Sequence, residues 1–152
     1  MPIDKRDPLA ALGWPIYFVA ALMIVTPAVD FVTNVWPPNP GDLQWRYGSN
    51  GLLAGFLLTP LLGALLAGLA AHALGHRGMA RFIAIFNVVG ALLLFAAFVM
   101  FSLDVLEYRH AVPAEAISTY DIGALKAASK HLSTALAFAW LAIAGFSASR
   151  KQ

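Results

Sequence analysis

Histidines and carboxylates are the side chains of this sequence that could carry out chemistry. His110 and His131 fall near Asp104 and Glu107, and a histidine beside a carboxylate can serve in general acid–base catalysis. The same groups are also typical of an ordinary solvated surface. The sequence contains no cysteine and none of the motifs of a nucleophilic serine, a zinc protease or a phosphate-binding loop. We therefore predict no enzymatic activity, no catalytic residues and no metal site.

Cofactor binding is the second chemistry that the histidines suggest. Two imidazoles that share a haem iron must lie on facing helices, whereas His72 and His76 fall at the end of one predicted helix. The stretch GLAAH, from Gly68 to His72, resembles the pigment-binding pattern of light-harvesting polypeptides, where a small residue one turn away makes room for the ring. The leading interpretation is a histidine at the lipid headgroups with no cofactor. A chlorin pigment or haem bound by His72 is the alternative.

Long uncharged segments make up most of the chain and would position any catalytic or cofactor site. Hydrophobic residues make up 60% of the 152-residue chain and charged residues 12%, and a soluble fold of this size could not bury so much apolar surface. A helix that crosses a bilayer needs about 20 apolar residues. The four runs that approach this length are Leu9–Val29, Leu52–Leu74, Phe82–Leu103 and Leu132–Ser149. We predict an all-α integral membrane four-helix bundle, one transmembrane domain whose loops at 30–51 and 104–131 share a face.

Lysine and arginine counts predict the orientation of the bundle. Positively charged residues favour the cytoplasmic side of a membrane. One side carries six, namely Lys5, Arg6, Arg77, Arg81, Arg150 and Lys151, and the other carries four, namely Arg46, Arg109, Lys126 and Lys130. Both termini are therefore predicted to be cytoplasmic. The composition and compactness of the chain predict a bacterial inner membrane. No basic run is dense enough for nucleic acid, and the absence of an ionisable group in mid-span disfavours coupled transport.

The stretch WPPNPGDLQWRYGSNG, residues 36–51, is predicted to be an outer loop that anchors the chain at the membrane surface. Its rings suit the headgroup level, its Asn39–Asp42 segment has the order of a type II turn, and Ser49 or Asn50 can cap a helix from Leu52. Arg46 is predicted to pair with Asp30. A binding surface is the alternative to a simple anchor. Its candidate contacts to a partner protein are Trp36, Trp45, Arg46 and Tyr47.

Residues 104–131 are predicted to continue spans three and four as an antiparallel helical hairpin. Pro113 ends the first helix, and the segment Ser118–Asp121 has the pattern of a helix start. In that hairpin Asp104 stands level with Lys130, and Glu107 with Lys126, which predicts two ion pairs that set the register. A solvated loop with unrelated charges is the alternative.

The first loop and second span carry a family resemblance. The stretch WPPNPGDLQWRYGSNGLLAGFLLTPLLGALLAG, with Pro40, Trp45 and a helix containing Pro60-Leu61-Leu62-Gly63, resembles small bacterial four-span proteins of the hormogonium polysaccharide secretion (HpsJ-like) type. The chain does not have the long polar tail associated with those proteins. The resemblance implies a non-catalytic membrane protein of a cell-envelope system.

These features together predict an accessory or scaffolding subunit of a larger inner-membrane complex. Glycine and alanine are frequent in spans two and three, and small residues let helices approach closely in lipid. The predicted partners are the lipid bilayer and other membrane-protein subunits. Two alternatives stay open: a small pigment- or haem-binding membrane protein that uses His72, and an independent homo-oligomeric envelope protein.

Overall fold

The computed structural model describes the backbone of residues 8–151 and the side chains of residues 11–149. Over these residues the chain is helical and forms no strand, which confirms the all-α prediction. The five α-helices are α1 (Pro8–Val35), α2 (Leu43–Phe56), α3 (Leu58–Ala73), α4 (Arg77–Tyr108) and α5 (Ile117–Lys151). Three of them, α1, α4 and α5, are long and apolar enough to cross a membrane, and α2 with α3 would make a fourth if the bent pair is one span.

The predicted second span is broken into two helices. Pro60 has no N–H for the carbonyl of Phe56, and its ring crowds that carbonyl, so α2 ends at Phe56 and α3 begins at Leu58. The two axes differ by 43°. The chain therefore bends beside Leu57, close to the start of the predicted span at Leu52.

The loop prediction for residues 36–51 is wrong in its second half. Helix α2 begins at Leu43 rather than Leu52, because Asp42 takes the N-cap position and its Oδ1 accepts from the N–H of Gln44 at 2.9 Å. The N–H of Asp42 donates to the Asn39 carbonyl at 3.1 Å, so a turn does form there. It is not type II, because Gly41 does not adopt the positive φ that type II requires.

Two tight connections complete the path of the chain. Helix α3 ends at Ala73, and Gly75, two residues later, has a φ of 68° in the left-handed region. The His76 N–H returns to the Ala71 carbonyl at 2.9 Å and closes the turn. Helices α4 and α5 form the antiparallel hairpin that the sequence predicts, joined by two short 3₁₀ turns on either side of Pro113. We call the end of the bundle that holds this connection the hairpin end, and the opposite end the turn end.

Small residues allow close contacts between helices. A Cβ on Gly63 of α3 would lie 2.8 Å from the Ala20 carbonyl oxygen of α1, and one on Gly145 of α5 would lie 3.0 Å from Ala84 of α4. Ala20 and Ala71 are buried in the same core cluster. The backbones of α1 and α3, and of α4 and α5, therefore approach closely along these glycines.

Candidate functional site

A buried ion pair joins α2 to α4 at the hairpin end. The Nε of Arg46 donates to Oδ1 of Asp104 at 3.0 Å, and its Nη2 also lies 3.0 Å from that oxygen. The Asp104 side chain is only 7% exposed and that of Arg46 is 25% exposed. A third contact, from Arg46 Nη1 to the Pro40 carbonyl at 3.2 Å, ties the preceding loop to the same guanidinium. This pair holds α2 and the loop before it against α4 of the hairpin.

Tyr47, the residue after Arg46, packs α2 on the hairpin through aromatic stacking. The Tyr47 ring stacks on Phe101, Tyr108 and Tyr120, with centroid distances of 5.4, 5.1 and 5.3 Å. The Tyr120 hydroxyl donates to the Val105 carbonyl at 2.7 Å, which links α5 to α4. Rings from three helices therefore pack together beside the ion pair, and stacked pairs of this kind add about 0.5–1.5 kcal/mol each beyond their burial.

His131 extends this cluster into the bundle. Its ring is fully buried, stacks on Phe101 at 5.7 Å, and has its Nδ1 2.9 Å from the Ala127 carbonyl. Nε2 of His131 and Oδ2 of Asp104 are both buried without a hydrogen-bond partner among the residues described. The prediction of a solvated surface is therefore wrong for His131 and for Asp104, both of which are buried. The seven-residue spacing of Ala124, His131 and Phe138, all buried on α5, is the signal that identifies its face.

The predicted ion pairs are replaced by others in the part of the chain that the structure describes. Asp104 binds Arg46 rather than Lys130, and Glu107 lies 3.8 Å from the same guanidinium rather than pairing with Lys126. Lys126 and Lys130 lie on α5 with exposed side chains, whereas the Asp104 side chain is buried on α4. Because Arg46 pairs with Asp104, it does not pair with Asp30, which is exposed on α1.

A further ion pair, which the sequence analysis did not predict, closes the hairpin near its tip. Nε and Nη2 of Arg109 donate to the two carboxylate oxygens of Asp121, each at 2.9 Å. Both side chains are well exposed. This fork geometry fixes the direction of approach of α4 and α5 more than it stabilises them.

The four candidate partner contacts have different environments. Trp36 is 71% exposed, whereas the Trp45 indole N–H donates to the Val35 carbonyl at 3.1 Å and is partly buried. Arg46 and Tyr47 are held in the ion pair and the aromatic cluster. Of the four, Trp36 presents the most surface to another molecule.

His72 and His76 both lie at the turn end. His72 is exposed near the end of α3, and Gly68, one turn before it, has Ile83 of α4 at 4.0 Å from the position of a Cβ. The His76 Nδ1 is 3.1 Å from the Tyr17 hydroxyl, and the two rings stack at 5.9 Å. Ligation of a pigment or haem by His72 stays a prediction.

An apolar groove opens on the side of the bundle. Its volume is about 410 Å³, and its lining comes from all five helices, including Pro27, Phe31, Phe56, Pro60, Phe86 and Phe138. A smaller pocket of about 310 Å³ lies towards the hairpin end between α1 and α2, lined by residues such as Asn34, Trp36, Trp45 and Ser49. We call the first of these the apolar groove.

The two buried polar side chains of this site, Asp104 and His131, are both held within the bundle. The carboxylate of Asp104 is paired with Arg46, and the ring of His131 is fully buried. Comparison of the chain with protein-family models, curated proteins and solved structures finds no match. The resemblance to HpsJ-like proteins therefore stays a prediction.

Proposed function

We propose that this protein is a four-span integral membrane protein that serves as a non-catalytic accessory or scaffolding subunit of a larger complex. The spans are α1, the bent pair α2–α3, α4 and α5. In the proposed orientation both termini lie in the cytoplasm of a bacterial cell and the hairpin end faces outward. The whole chain acts as one transmembrane domain.

The membrane part of the proposal is supported by large apolar side chains exposed along α1. They recur on one face of the helix at Trp14, Phe18, Leu22, Val25, Val29 and Val32. Soluble monomers rarely expose contiguous apolar patches larger than a few hundred Å². Similar exposed side chains on α4 and α5, such as Leu92 and Ile143, extend this surface around the bundle. Lipid and partner helices are the surroundings that suit it.

The scaffolding part is supported by the way the hairpin end is held together. The Arg46–Asp104 pair and the Tyr47 ring cluster connect α2, α4 and α5, so this end forms one rigid surface. A surface that is already ordered loses little conformational entropy when another subunit binds. Trp36 lies at its edge with most of its ring exposed. Tryptophan is enriched among the few residues that dominate the binding energy of protein interfaces.

A pull-down in mild detergent tests this proposal. A chromosomally tagged copy should bring down other membrane proteins in fixed stoichiometry. Trp36→Ala should reduce their recovery by about tenfold, as expected for an interface residue worth at least 1.4 kcal/mol. Trp14→Ala is the matched control, because Trp14 is 83% exposed at the other end of the same helix. Arg46→Ala is a less direct test, because Arg46 also maintains the fold.

The other outcomes separate the alternatives. A lone, colourless species would contradict the scaffolding role, and a single symmetric oligomer in native mass spectrometry would favour the independent envelope protein. Visible absorbance bands that follow this chain, and that disappear in His72→Ala, would favour the pigment- or haem-binding protein. Recovery of the chain in the soluble fraction would contradict the membrane proposal itself.

A further inference from the structure

Another cavity lies at the tip of the α4–α5 hairpin, and three of the residues that line it are tyrosines. Its volume is about 360 Å³, within the range of about 300–1,000 Å³ usual for small-molecule sites. Its walls come from α2, from both helices of the hairpin and from the two 3₁₀ turns that join them. We call it the tyrosine pocket, after Tyr47, Tyr108 and Tyr120.

The three tyrosine rings are held in place by contacts outside the pocket. Tyr47 stacks on Phe101, which is 1% exposed, and the Tyr120 hydroxyl donates to the Val105 carbonyl at 2.7 Å. Neither Phe101 nor Val105 lines the pocket. All three tyrosines are half-buried, so each keeps part of its surface accessible. A ligand that contacts rings already fixed in this way does not have to order them.

The other lining residues leave the space beside the rings open. Three of them are small, namely Ala111, Ala116 and Gly123. Gly123 lies one turn after Tyr120 on α5, and a Cβ built on it would have nothing within 4 Å. The pocket therefore exists because of residue size and the path of the backbone, and a larger side chain at position 123 would project into free space.

The charges around the pocket favour a positively charged ligand. None of the lining residues is charged. Glu107, Glu115 and Asp121 each directly adjoin a lining residue in the sequence, and from Glu107 to Asp121 they are accompanied by one arginine. That residue, Arg109, donates to both carboxylate oxygens of Asp121. Lys126 lies farther along α5 and does not line the pocket.

The walls suit a quaternary ammonium group better than an ammonium group with N–H donors. A cation within about 6 Å of an aromatic centroid is attracted by the ring quadrupole. Besides the tyrosines, Thr119 is the lining residue whose side chain carries an oxygen. A protonated amine would therefore lose hydrogen bonds to water that these walls replace poorly. A quaternary ammonium has no N–H to satisfy, and its methyl groups can pack against rings.

We propose that the tyrosine pocket binds a quaternary ammonium group, whether of a free molecule such as choline or of a choline-containing lipid headgroup. The tyrosine rings contact the N-methyl groups, and the neighbouring carboxylates attract the positive charge. This inference goes beyond the proposed function, because the pocket is complete in a single chain and needs no other subunit.

Saturation-transfer NMR on the purified full chain in dodecyl maltoside micelles tests this proposal. The ligand is choline, observed through its N-methyl protons, and titrations of protein-free micelles are subtracted. A Kd on the order of 1 mM is expected from a few contacts with partly exposed rings. The neutral isostere 3,3-dimethylbutan-1-ol, in which carbon replaces the nitrogen, should bind about fivefold more weakly, the ratio that one cation–π contact supplies.

Two pairs of variants locate the binding site. Gly123→Leu fills the pocket and should weaken choline binding about tenfold or more by steric exclusion. Gly55→Leu is the matched control, because Gly55 is also a helical glycine with open space around it and lies outside the pocket. Tyr108→Leu removes a ring but keeps an apolar side chain and should weaken binding about fivefold, whereas Tyr108→Phe should retain it.

Nanodiscs identify the source of the ammonium group. Weaker choline binding in phosphatidylcholine discs than in phosphatidylglycerol discs would support the proposal with a lipid headgroup as the occupant, and equal binding in both would support it with a free molecule. A wild-type chain that binds choline no better than the neutral isostere would overturn the proposal. Equal choline affinity in Gly123→Leu and Gly55→Leu would also overturn it. Neither result bears on the scaffolding role, which the pull-down tests separately.

Discussion

The Arg46–Asp104 pair allows a quantitative prediction about the stability of the hairpin end. Removal of one partner of a fully buried ion pair costs about 3–5 kcal/mol, because the other charge is left uncompensated. Here the Arg46 side chain is 25% exposed and has Glu107 at 3.8 Å as a second anion. We therefore expect Asp104→Asn to lower the free energy of unfolding by about 2 kcal/mol, below the fully buried range.

A double-mutant cycle measures the interaction itself. Asp104→Asn, Arg46→Gln and the double variant are unfolded reversibly in mixed micelles, and the coupling free energy is taken from the three changes in unfolding free energy. A coupling of about 1.5–2 kcal/mol is expected, since residues in one ion-pair network couple by about 0.5–3 kcal/mol. The matched control is the same cycle on Arg109→Gln and Asp121→Asn, an exposed pair that should show the smaller coupling of the two.

Two results would refute this reasoning. A coupling below about 0.5 kcal/mol for Arg46 and Asp104 would mean that they do not share an ion-pair network. A larger coupling for the exposed pair than for the buried pair would mean that burial of Asp104 does not strengthen its interaction. In the first case α2 would be held on the hairpin by other contacts, such as the stacking of the Tyr47 ring.

Two further predictions concern the packing of the bundle. His131→Ala should lower the free energy of unfolding by about 2–4 kcal/mol through the cavity it leaves. His131→Phe should recover most of the loss, because the ring shape is kept and a buried unpartnered nitrogen is removed. Equal stabilities for wild type and both variants would place His131 on the surface. Gly63→Ala should lower the free energy of unfolding by about 1–3 kcal/mol, because the new Cβ would meet the Ala20 carbonyl oxygen at 2.8 Å. Gly55→Ala is the control, since a Cβ at Gly55 would have nothing within 4 Å. Equal melting temperatures for the two variants would contradict the close contact of α1 with α3.

The sequence was sufficient for the helical elements where one physical signal dominates. Uncharged runs gave the positions of the long apolar helices, and Pro113 gave the break between α4 and α5. The start of α2 was placed too late because apolar residues become continuous only from Leu52. The stronger signal was Asp42, a capping residue that follows a Pro-Gly turn.

The partners of the charged side chains could not be predicted from linear position. Matched heights placed Lys126 and Lys130 opposite acidic residues, but the rotation of each helix about its axis decides which side chains meet. That rotation is set by packing of Tyr47 and His131 on Phe101, contacts between residues far apart in the chain. The apolar groove was likewise not predictable, because it requires the angle between α2 and α3 as well as the position of Pro60.

The most direct test of the central proposal is the accessibility of single cysteines in intact cells. The chain contains no cysteine, so Glu115→Cys at the hairpin end and Met79→Cys at the turn end each give one defined thiol. In the proposed four-span orientation, a membrane-impermeant maleimide labels Cys at position 115 in intact cells and labels position 79 only after permeabilisation. Labelling of both positions in intact cells, or of position 79 alone, would contradict the account.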